Sequence, residues 1–447
     1  MEATKEVEMK QGRMLLSVIA SLLLLSSLAV ANGLNLNSLG SRALAMGGAF
    51  VGLADDFSTI YWNPAGIAQF NKRYFGFYGT DIIPSGTYAL DLPLPTGETF
   101  PLNAETQRIH YLAGLAAFYF PISENLVAGL GVYVPSGLGS KWDGADFSPL
   151  SFGSTYEWKS RIGMVTISPA LAYKINDQVS MGATLNINYA VFEIETHAGD
   201  SELGIDIGQY KEDMSGWGVG ATFGVLVKPN EMFSFGATVR TESKISFSGD
   251  TSISKLNVLG QIPGTPLFGA NIPTETEVER EVSWPWWIAG GVAVRPSPSL
   301  ILTADLQYTL WESKIKILES KFKDPFWQAL VDADRPLYFD NALQIRLGAE
   351  YTIDNIALRG GYYWDPSPAP DRTMNVLLPN YDFNVFTVGV GYKANGLKVD
   401  VGFEYLMGKE RNVPLLKTLT DPEWKTAMPG AFKMNIAVPN MSIGYRF

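Results

Sequence analysis

Val179-Ser180-Met181-Gly182-Ala183-Thr184-Leu185-Asn186-Ile187-Asn188-Tyr189-Ala190-Val191 alternates between side chains of opposite character. In an extended chain, successive side chains point to opposite faces. Val179, Met181, Ala183, Leu185, Ile187, Tyr189 and Val191 therefore form an apolar face, and Ser180, Gly182, Thr184, Asn186 and Asn188 a polar one. The same period of two returns at Leu300–Leu310, with Thr303, Asp305 and Gln307 on the polar side, and at Leu343–Tyr351, with Gln344, Arg346 and Glu350. It appears again at Leu397–Tyr405, where Lys398, Asp400 and Glu404 alternate with apolar neighbours. Such segments read as strands.

About fourteen strands follow one another from Arg73 to the C-terminus, with boundaries good to a few residues. Their connections alternate between short turns, as at Asn176–Asp177, Lys228–Asn230 and Ala394–Gly396, and long ones. The long connections are Pro84–Gln107, Ser136–Ser160, Ile194–Ser215, Ser248–Thr276, Ser313–Asp340, Asp365–Phe383 and Gly408–Phe432. Short turns at one end and long loops at the other are the layout of an outer-membrane barrel. Alternation alone leaves open which face meets lipid, because a soluble sheet also has one apolar side. Two features favour the membrane: aromatic residues near strand ends, such as Tyr74, Tyr111, Tyr189, Tyr308 and Tyr405, and an alternating final segment that ends on Phe447. The apolar face then contacts outer-membrane lipid, and the final segment's resemblance to those of outer-membrane proteins implies that it, ending on Phe447, is the signal read by the barrel assembly machinery.

Ahead of the strands, Lys5, Lys10 and Arg13 precede an apolar run from Met14 to Val30 and the small-x-small site Ala29-Val30-Ala31. Residues 1–31 read as a signal peptide, the alternative being an N-terminal anchor. After it, no apolar run is long enough for a helical membrane span. The 447 residues contain no cysteine, so no disulfide supports the fold, and a formal net charge of -11 speaks against nucleic acid as a partner.

Between signal and strands lies Gly33–Phe70, GLNLNSLGSRALAMGGAFVGLADDFSTIYWNPAGIAQF, which lacks the period of two. Its small residues permit close backbone packing. Asp55 or Asp56 is expected to cap a short helix ending at Trp62, and Asn63-Pro64-Ala65-Gly66 fits a type I turn. A barrel of this size leaves an appreciable lumen. The segment is thus expected to plug it as a hatch spanning 32–72, with the barrel at 73–447; a periplasmic extension is the alternative. The expected fold is all-β: a transmembrane antiparallel β-barrel of about fourteen strands with a small N-terminal helical hatch plugging the lumen.

The run Gly47-Gly48-Ala49-Phe50-Val51-Gly52-Leu53-Ala54-Asp55-Asp56, followed by Asn63-Pro64-Ala65, resembles the N-terminal hatch of the FadL/TodX outer-membrane transporters for long-chain fatty acids and hydrophobic compounds. Pro135-Ser136-Gly137-Leu138-Gly139 with Trp142 resembles that family's third strand and the loop after it. The resemblance implies an outer-membrane location in a Gram-negative bacterium and passive uptake: capture in an apolar groove between outer loops, transfer to a lumen pocket, and hatch-gated lateral release at a kink in strand three. Asp55, Asn63, Pro64 and Ala65 would be the hatch motif. Gly129 and Gly131 would form the lateral gate, or merely pack against the hatch.

The loop Ser248–Thr276 is unusually apolar, and Leu256, Val258, Leu259, Ile262, Leu267 and Phe268 are candidates for the capture wall, unless the loops simply pack on one another. Ile194–Ser215 is the candidate for the facing wall. Each methylene removed from water is worth roughly 0.8 kcal/mol, so a chain of about fifteen gains up to roughly 12 kcal/mol in apolar surroundings. A carboxylate headgroup would want a cation. Arg240, Arg346 and Arg359, with Lys398, are the polar-face candidates, although Asp305, Glu350, Asp400 and Glu404 share those faces and would neutralise them. No basic residue lies in Tyr189–Asp200, so neutral hydrocarbon cargo, such as monoaromatics, stays open. A general porin, an adhesin or a lipid hydrolase are the other readings. Catalysis has little support: His110 and His197 are the only histidines, and neither sits in a catalytic motif. No metal-ligand spacing is present, and no cofactor is expected.

Overall fold

The structure is a computed structural model that describes residues 33–36, 39–93, 97–200 and 204–447. The expected signal peptide lies outside the described residues. Fourteen antiparallel strands run in chain order: β1 (Tyr74–Pro93), β2 (Tyr111–Pro121), β3 (Leu126–Trp142), β4 (Trp158–Lys174), β5 (Val179–Asp200), β6 (Ile205–Val227), β7 (Phe233–Arg240 with Ser243–Ile253), β8 (Glu275–Trp284 with Trp287–Ser297), β9 (Leu300–Thr309), β10 (Ala342–Ile353), β11 (Ile356–Asp365), β12 (Phe383–Ala394), β13 (Leu397–Gly408) and β14 (Gly430–Arg446). Each pairs with the next, and β14 returns to β1 from Tyr74↔Arg446 to Ala89↔Ala431. Closure leaves no free sheet edge, which a bilayer demands. The interruption in β8 falls at Pro285, which has no N–H to give to a ladder.

The faces are inverted relative to a soluble sheet. In β5 the apolar Met181 and Leu185 are exposed, whereas Ser180, Thr184, Asn186 and Asn188 are buried. Ile345 and Leu347 of β10 are likewise exposed, and Gln344 and Arg346 buried. Apolar outside and hydrogen-bonded polar inside is stable only against lipid.

Higher up the same strands the faces exchange. Beyond Asn188 the interior of β5 continues as Ala190, Phe192 and Ile194, all buried, while Glu193 on the outer side pairs with Lys159 at 2.9 Å and Arg161 at 2.9 Å. Here the outer face is polar, and the interior is packed and largely apolar, with the fully buried Arg280–Glu212 ion pair set among its side chains. This corrects one expectation. Ile194–Ser215 is not a loop but the top of the β5–β6 hairpin, paired from Ile194↔Glu212 to Asp200↔Ile205. Its polar residues suggested a loop, yet pairing requires only backbone groups, and outward side chains above the membrane are free to be polar. The stretch Pro84–Gln107 is similarly built: β1 runs to Pro93 and folds back through a short strand, Thr99–Glu105, with Leu90 opposite Leu102.

Candidate functional site: the filled lumen and the chamber above it

The segment before β1 lies inside the barrel. It forms two short helices, α1 (Ser41–Ala45) and α2 (Thr59–Trp62), and a 3-10 turn, Pro64–Gln69. Nearly every residue from Leu39 to Ile67 is buried. The Asn63 corner opens that 3-10 turn: Gly66 N donates to Asn63 O at 3.0 Å, and Asn63 Oδ1 accepts from Ala65 N at 3.1 Å. The acidic pair does not cap α2 as expected. Asp56 Oδ1 accepts from Ser58 N and Ser58 Oγ one turn early, and Asp55 faces Arg42 instead.

The wall makes room for this segment with glycine. A Cβ on Gly76 of β1 would collide with Phe57, on Gly131 of β3 with Ile60, on Gly182 of β5 with Pro64, and on Gly224 of β6 with Asn63. The belt continues through Gly236, Gly291, Gly348, Gly361 and Gly389, against Val51, Gly52, Met46, Gly47 and Ala45. Side chains from the wall then tie hatch carbonyls and amides. Ser180 Oγ donates to Ala65 O at 3.0 Å, Ser234 Oγ to Gly52 O at 2.7 Å, and Arg346 Nη1 to Gly47 O at 3.0 Å, while Asp305 Oδ2 accepts from Val51 N at 2.8 Å.

The candidate cations have different fates. Arg359 is held between Glu350 at 2.5 Å and Asp400 at 2.7 Å, and Glu350 also receives both Nε and Nη2 of Arg42, at 2.7 and 2.9 Å. Arg346 stacks its guanidinium 4.1 Å from the Tyr363 ring centre and is committed to the hatch. Lys398 is part of the same charged cluster, near Asp55, Asp56 and Asp400. Arg240 differs. It donates to Tyr61 O at 2.8 Å and lies over the rings of Tyr61 and Trp287, with no carboxylate in ion-pair range among the described residues. It borders a small lumen cavity that includes Tyr133, Asn186, Asn188, Trp284 and Trp287.

Strand β3 is irregular just above this level. Its pairing with β4 shifts register between Tyr133 and Ser136, around Pro135. Its pairing with β2 stops at Leu115↔Tyr133, so Tyr111–Gly114 is paired to β1 alone. A gap therefore separates β2 from upper β3. On the inner side, residues 34–36 lie across the bulge: Leu36 N donates to Pro135 O at 3.0 Å and Gly137 N to Leu34 O at 2.8 Å. Gly129 and Gly131 sit below the bulge in regular pairing, the first against Tyr119 and the second against Ile60 of the hatch.

Above the lumen, the long connections form a roof over one continuous apolar interior that includes Phe192, Phe247, Trp284, Trp311, Trp327 and Tyr381. In the loop after β7, Leu256 and Leu259 are buried in this interior, and Ile262 and Leu267 pack against it. Val258 is half-buried, and Phe268 is 60% exposed. The two histidines stand apart. His110 Nδ1 pairs with Asp81 at 2.6 Å, while His197 stacks on Tyr156 and lies 3.3 Å from Asp206. Sequence reasoning anticipated that Glu350 and Asp400 would neutralise Arg359, but not the glycine belt, the entry of Arg42 into that network, or Asp81. Inward glycines in successive strands were the one signal that pointed toward the belt.

A lipid-embedded barrel whose lumen is filled by its own N-terminal segment and whose outer half is apolar belongs to the class of plugged outer-membrane transport channels. The chain is a member of the outer membrane protein transport protein family (OMPP1/FadL/TodX), whose model matches residues 22–447. It is 26% identical over 430 residues to the long-chain fatty acid transport protein of Escherichia coli (strain K12), covering 86% of this chain and 90% of that one. It is 22% identical over 427 residues to outer membrane protein P1 of Haemophilus influenzae, covering 84% and 86%. Among solved structures it resembles a Pseudomonas aeruginosa FadL homologue, with TM-score 0.76, 18% identity, and coverage of 93% of this chain and 100% of that one. It also resembles the P. putida toluene transporter TodX, with TM-score 0.67, 16% identity, and coverage of 92% and 99%. The protein is an outer-membrane transporter of hydrophobic small molecules.

Proposed function

We propose that the cargo is a long-chain fatty acid, caught at the apolar roof, held with its tail in the upper chamber and its carboxylate at Arg240, and released sideways through the gap beside β3. The observation that carries this reading is Arg240: a guanidinium in the lumen with no carboxylate partner among the described residues, bordering a small cavity that reaches Trp284 of the apolar upper interior. Arg359 and Arg346 are already engaged by Glu350, Asp400 and the hatch. A fatty acid meets both demands at once, with methylenes for the chamber and an anion for the cation. The names of the fatty acid transport relatives support the same choice. A neutral monoaromatic is the second reading, favoured by the likeness to TodX. It would leave Arg240 unused.

The test is equilibrium binding of oleate and of toluene to the delipidated barrel and to its Arg240→Gln variant. Saturable oleate binding that weakens about tenfold in the variant, the scale of one lost charge-assisted hydrogen bond, supports the proposal. Toluene binding without oleate binding moves the assignment to hydrocarbons.

A further inference from the structure

The upper interior has an occupant of its own. Residues 366–382 join β11 to β12, and from Thr373 to Tyr381 all of them are buried except the half-buried Asn375. The sequence explains this shape. Asn375 Oδ1 accepts from Leu377 N at 3.0 Å and from Leu378 N at 2.8 Å, a side-chain turn of the kind asparagine favours, and Pro379 stiffens the backbone after it. The turn places Val376, Leu377 and Leu378 in the same apolar cluster as Phe192, Phe247 and Trp284. They fill space of the kind that a fatty-acid tail seeks.

The base of this segment is fixed firmly and its tip lightly. At the base, Arg411 donates to Ser367 Oγ at 2.9 Å, Ala369 O at 2.8 Å and Asn380 O at 2.7 Å, and pairs with Asp371 at 2.6 Å. The tip is held by uncharged donors of β3 and β4. Ser140 Oγ and Trp142 Nε1 donate to Val376 O, each at 2.8 Å, and Ser160 Oγ donates to Leu377 O. Such bonds are modest in net worth. The closed position also leaves Asn380 Oδ1 and Tyr381 OH buried with no hydrogen-bond partner among the described residues, a penalty that water reaching them would remove.

The tip lands beside the gap. Ser140 and Trp142 belong to upper β3, beyond the bulge at Pro135, where pairing with β2 has ended. On the outside the gap meets an apolar groove of about 550 Å³ whose lining includes Leu112, Gly114 and Val134. On the inside, residues 34–36 cover β3 at Pro135–Gly137, and the tip covers it again at Ser140 and Trp142.

We propose that residues 373–379 are an autoinhibitory strap standing in the place of the cargo tail: entering cargo lifts the tip from Ser140, Trp142 and Ser160, and the same movement uncovers upper β3 beside the gap. Vacating the interior and clearing the inner side of the exit are then one event, so an empty barrel keeps its exit covered. The proposal rests on the fatty-acid uptake argued above and adds the element that moves.

The experiment measures equilibrium oleate binding to the intact barrel and to Ser140→Ala with Ser160→Ala, a pair that removes two of the three ties and adds no bulk; heat-shifted gel mobility verifies assembly. Apparent affinity scales with the fraction of barrels whose tip is lifted. The expected result is oleate binding about tenfold tighter in the double variant, the scale of the hydrogen bonds removed. In the wild type, saturating oleate should speed hydrogen exchange at Leu377 and Leu378, although a bound ligand ordinarily slows exchange at the groups it covers. Unchanged or weaker oleate binding in the assembled double variant overturns the strap alone, and so does exchange at Leu377 and Leu378 that oleate slows or leaves as it was. Toluene binding without oleate binding overturns the fatty-acid reading, and the same two measurements made with toluene then decide the strap.

Discussion

Asn63 shows how a single side chain secures the hatch. Its Nδ2 donates to Val51 O at 3.0 Å, inside the hatch, and to Val225 O at 3.1 Å, on the wall, while Oδ1 caps the turn that follows. Asn63→Leu leaves buried groups unpaired, each costing about 1–3 kcal/mol, in a space where Gly224 already touches the side chain. The expected outcome is a normally assembled barrel with frequent conductance openings in a planar bilayer, against a quiet wild type. The turn itself was legible, because Asn and Pro at those positions have a local mechanism. The contact to Val225 was not, because nothing local encodes a partner so distant in the chain. The same holds for Arg359: its place on a polar face was readable, its pairing with Glu350 and Asp400 only in outline. Outside the membrane, Asp206 binds Lys255 at 2.7 Å and Tyr156 at 2.6 Å, joining three outer segments. Burial would raise its pKa, but these hydrogen bonds and that of Gly208 N bring it down to about 2. A carboxyl depressed in the folded state contributes stability above its unfolded pKa of about 3.9, and loses it as pH falls toward 2. Hydrogen-exchange protection in residues 254–258, taken relative to the unfolded chain at the same pH, should therefore be high at pH 5 and fall sharply between pH 4 and pH 2.

Among the elements, the strands were the most legible and the outer connections the least. Period-two alternation located all fourteen strands because lipid on one side and a polar lumen on the other enforce it. Above the bilayer that constraint ends, and the β5–β6 hairpin, held by backbone pairing, looked like a loop over Ile194–Ser215, in the region of Glu195, Asp206 and Glu212. The hatch leaves a different mark on the strands, glycine on their inward faces. Adjacent residues of β11 offer a paired test. A Cβ on Gly361 would strike the backbone of Gly47, whereas on Gly360, facing outward, it would meet nothing nearer than Thr387 O at 3.9 Å. Gly361→Val should leave the barrel folded but loosen the hatch, seen as raised conductance and faster proteolysis at residues 46–48. Gly360→Val should behave as wild type. The capture candidates divide in the same way. Leu256→Ser places a hydroxyl in the buried interior and should destabilise the roof by about 2–4 kcal/mol. Phe268→Ser, at an exposed site, should leave stability unchanged and weaken oleate binding.

For the whole molecule, the deciding feature is the change of interior from largely apolar above, where Arg280 and Glu212 form one buried ion pair, to polar and filled below. A chain of about fifteen methylenes gains up to roughly 12 kcal/mol on leaving water for an apolar space, and would forfeit much of it among Asn186, Thr222, Asp305 and Arg346. A straight descent also requires the hatch to leave a wall that fits it through a belt of glycines and ties it by hydrogen bonds from several strands. The proposed lateral path between β2 and upper β3 would avoid both costs, because the β2–β3 pairing ends at the apolar level. The absence of cysteine makes this route testable without background. Leu112→Cys with Val134→Cys, both lining the outer groove, can be joined by a short, reducible bis-thiosulfonate linker. Joining them should leave equilibrium oleate binding intact, because the roof and Arg240 are untouched, and should stop release to acceptor vesicles until reductant is added. If release continues at the uncrosslinked rate, the cargo passes through the hatch itself, and the polar lower lumen is a conduit and not a barrier.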